Sequence, residues 1–125
     1  MASGGEISRL MLSLKYILSR TKQLPVIIFD EIDTGVSGEI AHRMAEMMKE
    51  MACRMQVISI SHLPQIAAAG DHHFKVYKED DQMGTISRIR RLTDEERVAE
   101  IAGMISGSVI SEAALENARL LLGPS

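Results

Sequence analysis

Pro25-Val26-Ile27-Ile28-Phe29-Asp30-Glu31 decides the fold. A proline opens four consecutive apolar residues, a run too short for a helix and rich in β-branched types, so it predicts a fully buried strand of a parallel sheet. Two adjacent carboxylates end it. The C-terminal edge of a buried parallel strand is where open α/β sheets hold their ligands. An Asp-Glu pair there suits hydrolysis of a metal-bound nucleotide, one carboxylate holding a divalent cation and the other orienting or deprotonating the attacking water. The same seven residues also fit a strand that simply stops at an acidic turn.

Downstream, Ile32-Asp33-Thr34-Gly35-Val36-Ser37-Gly38 is a loop with one more carboxylate, and Ser37 is placed to cap the helix that follows. In that helix Ile40, Met44, Met47, Met48, Met51 and Met55 form one stripe, expected to pack onto the sheet. A second short apolar strand, Gln56 to Ser61, ends at His62, and Pro64 stands in the first turn of the next helix. If the two strands run parallel, as a crossover helix requires, His62 shares an edge with Asp30 and Glu31.

Upstream, Ser3-Gly4-Gly5-Glu6 precedes a helix from about residue 6 to 21, with Ile7, Leu10, Met11, Leu14, Ile17 and Leu18 as its expected apolar face. Ser3 and Glu6 have capping-box spacing, yet a cap has no need of two glycines. A backbone that approaches a phosphate closely does, and a helix N-terminus offers free N–H groups and a positive dipole end. Both readings stand on these four residues. A domain opening on this feature with no preceding strand is expected to belong to a longer polypeptide.

Beyond Gly70, Phe74 to Lys78 and Gly84 to Arg90 predict a hairpin with one solvated face. The adjacent His72 and His73 would point to opposite faces, which speaks against a shared metal. Arg88, Arg90 and Arg91 are the one basic concentration and are expected to be a solvated strand face. Thr93 to Glu96 is a second capping box, opening a helix with Val98, Ile101, Ala102 and Ile105 on one side. Ser111 starts a last helix, which Gly123 and Pro124 stop.

The 125 residues suit one domain, and 14 basic against 17 acidic side chains give no bulk attraction to nucleic acid. No apolar run approaches the ~20 residues of a membrane span, and no signal pattern opens the chain, so a cytoplasmic site is expected. The single cysteine, Cys53, permits no internal disulfide and is expected as a small core residue.

Taken together these motifs resemble the ABC-type ATPase heads. Ser3 to Glu6 resembles the signature, Val26 to Glu31 the Walker B strand, Asp33 to Gly38 the D-loop and His62 the switch histidine. Transporter ATPases typically have Gln where this chain has Glu6, and Pro where it has Ile32. The combination of Ala2 to Arg9, Phe29 to Gly38, Ile60 to Gly70 and Leu92 to Arg97 is similar to the RecN family of bacterial DNA repair proteins, relatives of the SMC proteins, along essentially the whole chain.

That resemblance implies an α/β fold: the C-terminal lobe of a P-loop NTPase head over residues 1–125, with parallel strands, flanking helices, a β-hairpin and two final helices. It implies ATP and Mg²⁺ as cofactors, with Asp30 holding the metal, Glu31 as general base and His62 on the γ-phosphate. Ser3, Gly4, Gly5 and Glu6 would serve a nucleotide bound to a second head, and Asp33 would link the two sites. Partners would be the Walker A half of the same head, that second head, and DNA, at the nucleoid and not at a membrane. No G-x-x-x-x-G-K-[ST] occurs in the sequence. The resemblance places the P-loop strand between the Walker B and switch-histidine strands, so the chain alone is expected to lack ATPase activity and to be marginally stable or self-associating. A non-catalytic interaction module and a transporter ATPase subunit are the alternative readings.

Overall fold

Helix α1 (Gly4–Thr21), strand β1 (Val26–Asp30), helix α2 (Gly38–Ala52), strand β2 (Gln56–Ile60) and helix α3 (Pro64–Ala69) follow one another in the first of two compact units, which divide after Ala69. Strands β3 (Phe74–Asp81) and β4 (Gly84–Arg91) and helices α4 (Asp94–Ser106) and α5 (Glu112–Leu122) make the second. The computed structural model describes residues 4–33, 35, 36 and 38–124.

In the first unit β1 and β2 pair in parallel, with Val26 opposite Gln56 and Asp30 opposite Ile60, and α2 supplies the crossover. This overturns the expectation of a P-loop strand between them. The ladder runs unbroken from Pro25 O, which accepts from Gln56 N–H at 3.0 Å, to Ile60 O, which accepts from Glu31 N–H at 2.9 Å. Those end bonds turn the backbone groups of Val57 and Ser59 to the outer edge of β2. On the outer edge of β1, Lys15 Nζ donates to Ile28 O at 3.0 Å and stands 5.0 Å over the Phe29 ring. A lysine at an unpaired carbonyl is a common guard of an edge strand.

The core of this unit gathers Leu12, Ile27, Phe29, Val36, Ala41, Met44, Ala45, Met48, Met51 and Ile66. The methionines of the stripe pack as the spacing predicts, with Met47 and Met55 at the margin, whereas Ile40 at its start is exposed. Three further expectations of burial fail. Strand β1 buries Ile27 and Phe29 while Val26 and Ile28 stay about half exposed beside Ile58 and Ile60 of β2, so the sheet is covered on one face. Helix α1 packs through Leu12, 1% exposed, with Gly5, Ser8 and Ser19, while its six-residue apolar stripe is 42–59% exposed on the opposite side. Cys53 lies just past α2 and is exposed, its thiol over Lys49 O at 3.5 Å.

In the second unit β3 and β4 form an antiparallel hairpin, Phe74 opposite Arg91 and Asp81 opposite Gly84. The solvated face is the unexpected one. Phe74, Val76 and Ile89 are exposed on it, while on the other face Lys75 bonds Glu100 of α4 at 2.8 Å and Arg90 bonds Glu96. Arg88 pairs with Glu79 and Arg91 donates to His72 Nδ1 at 2.6 Å, so each arginine of the basic run is engaged. The Thr93–Glu96 capping box opens α4, and the Ser111 hydroxyl caps α5 by accepting from Ala114 N–H.

His73 couples this unit to pH. Burial first, then the charges of Arg97 and Lys75, hold its imidazole below the usual 6.5, and Glu100 only partly opposes them. Its Nδ1 is buried and has no hydrogen-bond partner among the described residues. The unfolded chain takes up a proton near 6.5 while the folded chain resists it, so stability present above that pH is lost as pH falls through the folded value. Urea midpoints followed by circular dichroism are expected to drop between pH 7.5 and 5.5, and His73→Leu to flatten the drop; a wild-type midpoint constant over that interval refutes the assignment. Glu96, held below its usual 4.5 by the Thr93 amide and Arg90, loses its contribution only at lower pH, so the two effects separate.

Candidate functional site

Both parallel strands end at one edge, and their side chains meet there. β1 closes with Asp30, and Glu31 follows in the left-handed region at φ 52. That conformation costs a non-glycine residue on the order of 1–3 kcal/mol, and such strain collects where side-chain placement matters. It accompanies a direct contact: Glu31 Oε1 lies 2.6 Å from His62 Nε2, just past β2. Both side chains remain open to solvent, 49% and 78% exposed. A carboxylate and an imidazole in that relation can hold or pass a proton at an accessible edge.

Two residues past Glu31, Asp33 turns inward and is only 4% exposed. Its Oδ2 accepts a hydrogen bond from the Ser61 hydroxyl, and its backbone carbonyl accepts from Val36 N–H at 3.1 Å. Sequence reasoning gave Ser61 no role. The available signal was a hydroxyl immediately before the histidine, able to close a local turn: Ser61 Oγ accepts from Leu63 N–H at 3.0 Å.

Asp30 differs from its neighbours. Its carboxylate is exposed on the open face of the sheet and, among the described residues, takes part in no hydrogen bond or ion pair. No group of three or more acidic, histidine or cysteine side chains able to cage a metal occurs among the described residues. A single free carboxylate fits Mg²⁺, which commonly takes one or two carboxylates and completes its shell with phosphate oxygens and water.

Of the glycine-rich start, Ser3 lies outside the described residues, Gly4 begins α1 and Glu6 is exposed in its first turn. Gly5 has a structural reason to be glycine. A Cβ there would stand 2.9 Å from the carbonyl oxygen of Gly35, in the loop that follows Asp33. Gly5 thus packs on the loop of the acidic edge, which is reason enough for a glycine at that position. Gly5→Ala is expected to lower stability by about 1–3 kcal/mol, as overpacking against backbone does, read as a reduced urea midpoint. An unchanged midpoint would refute that close packing. A cleft lined by residues 19–25, Arg54 and Met55 lies by the start of β1 and includes none of the candidate residues.

No family model matches the chain. DNA repair protein RecN from Halalkalibacterium halodurans is 47% identical over 122 residues, which cover 98% of this chain and 22% of that protein. RecN from Deinococcus radiodurans is likewise 47% identical, covering 98% of this chain and 21% of its own length. Among solved structures, one from work on ATP-driven dimerization and DNA-stimulated activation of SMC ATPases superposes with a TM-score of 0.70 at 24% identity, covering 86% of this chain and 65% of that one. The Smc head domain with a coiled coil and joint from Pyrococcus yayanosii gives 0.68 at 28% identity, covering 80% and 19%. No helix among the described residues is long and apolar enough to cross a membrane. Along nearly all of its residues the chain is 47% identical to proteins named DNA repair protein RecN, it has the fold of SMC head domains, and it spans about a fifth of the length of the curated relatives it matches.

Proposed function

We propose that this chain is the signature and Walker B part of an ATP-binding and ATP-hydrolysing head that serves recombinational double-strand-break repair at the nucleoid. The observation that carries the reading is the 2.6 Å contact between Glu31 and His62 beside the free carboxylate of Asp30. In this reading Glu31 takes the proton of the attacking water, His62 contacts the γ-phosphate, and Asp30 holds Mg²⁺ through water. The metal, when bound, supplies positive charge for the phosphate oxygens. Ser3, Gly4, Gly5 and Glu6 face a nucleotide on a second head, and Asp33 belongs to the loop between the two sites.

The phosphate cradle must come from other polypeptide, since these 125 residues contain no P-loop motif. A strand carrying it has an open ladder to join at Val57 and Ser59, whereas Lys15 occupies the outer edge of β1. The uncovered apolar faces of α1 and the sheet suit the same missing partner. The chain alone is therefore expected to show no ATP turnover, and addition in trans of the P-loop-bearing half of a RecN relative to produce it. A phosphate-release assay decides. Turnover by the chain alone that falls with Glu31→Gln, or none in the mixture despite a stable complex, overturns the reading.

A further inference from the structure

We propose that Ser61 is a positioning residue which, through Asp33, holds the His62 imidazole against Glu31; this rests on the reading of Glu31 and His62 as the working pair. The Ser61 hydroxyl has both of its roles fixed. Leu63 N–H donates to Oγ at 3.0 Å, so the hydroxyl proton is the one that goes to Asp33 Oδ2. The first bond closes a turn with His62 at its middle, and the second ties that turn to the loop after β1. Asp33 is 4% exposed, and a carboxylate so buried is costly without a donor, which makes the tie hard to release.

Geometry gives the tie its consequence. Glu31 and Asp33 lie two residues apart on one loop, and Ser61 and His62 are consecutive on the other. Two cross-links, Asp33 with Ser61 and Glu31 with His62, therefore join the same two segments side by side. The inner one is buried at its Asp33 end and the outer one is open to solvent. An exposed carboxylate–imidazole contact is weak by itself, because both side chains give up rotamer freedom to make it. A buried neighbour that already fixes the two backbones removes much of that cost. Ser61 and Asp33 then set the direction of His62 without touching any reacting group.

The experiment is nuclear magnetic resonance on the isotope-labelled chain, reading the nuclear Overhauser effect between the His62 ring protons and the Glu31 side-chain methylenes. Wild type is expected to show it and Ser61→Ala to lose it, while Phe29 and Met51 core resonances stay in place. Ser61→Thr, which keeps the hydroxyl, and Asp33→Asn, which keeps an acceptor oxygen, are expected to retain it. Persistence in Ser61→Ala overturns the proposal, as does loss in all three variants or loss together with the core resonances, since either marks general disruption. No nucleotide enters this readout. Loss confined to Ser61→Ala with no ATP turnover in the reassembled head would leave the brace standing and the hydrolytic reading failed.

Discussion

Leu12→Ala is expected to destabilise the unit that ends at Ala69 by about 2–5 kcal/mol, whereas Leu14→Ala, two residues on, changes it by less than about 0.5 kcal/mol. Leu12 is 1% exposed in the core with Phe29 and Met51, so truncation leaves a cavity among side chains that cannot fully collapse. Leu14 is 48% exposed on the opposite side of α1, and exchanging it for alanine costs little helix propensity. Leu14 belongs to the helix's apolar stripe, and an assignment from periodicity alone would invert the two results. Urea unfolding monitored by circular dichroism ranks them. The same stripe, continuous over Ile7, Leu10, Met11, Leu14, Ile17 and Leu18, is expected to drive self-association. Leu10→Glu with Leu14→Glu should shift sedimentation toward the monomer at little cost in midpoint. Equal losses for Leu12→Ala and Leu14→Ala would disprove this packing of α1.

What sequence could and could not convey follows from where each signal is satisfied. The parallel pair with its crossover helix, the methionines of the stripe, the Thr93–Glu96 box and the shared edge of Glu31 and His62 are settled by neighbours within the chain, and all were legible, though the contact between those two side chains was not. The orientation of α1 was not. Its strongest periodic signal describes a surface without a partner among the described residues, and the face it buries carries serines. Ser19 manages burial by donating to Tyr16 O at 2.6 Å inside its own helix, so a hydroxyl occupies the core without an unpaired donor. The strands misled in the same way: continuous apolar runs predict burial on both faces, yet α2 and Leu12 cover only one. Phe74, Val76 and Ile89 repeat the pattern on the hairpin, where ion pairs from Lys75 and Arg90 to α4 fix which face turns inward. Strand order was unreadable for another reason. Adjacency of β1 and β2 is a property of the ladder, and two equally apolar runs do not say what lies between them.

Glu31→Gln is expected to reduce ATP turnover in the reassembled head by about 10²–10⁴-fold while leaving nucleotide affinity nearly unchanged. Gln keeps the shape of Glu and offers His62 an amide oxygen or N–H at the same reach, so the contact at the strand tips survives substitution. What disappears is a group able to accept the proton of water. Turnover then separates from binding, and single-turnover hydrolysis beside equilibrium nucleotide titration reads the two apart. Glu31→Gly would relieve the φ 52 backbone and also remove the carboxylate. Higher stability with lost turnover would tie the strained conformation to work and not to folding. His62→Ala supplies the remaining arm. If the pair acts as a unit, the double variant of Glu31 and His62 is hardly slower than the worse single one, whereas independent roles multiply. Full turnover in Glu31→Gln would transfer the proton-accepting role elsewhere and leave the 2.6 Å contact as an ordinary surface pair.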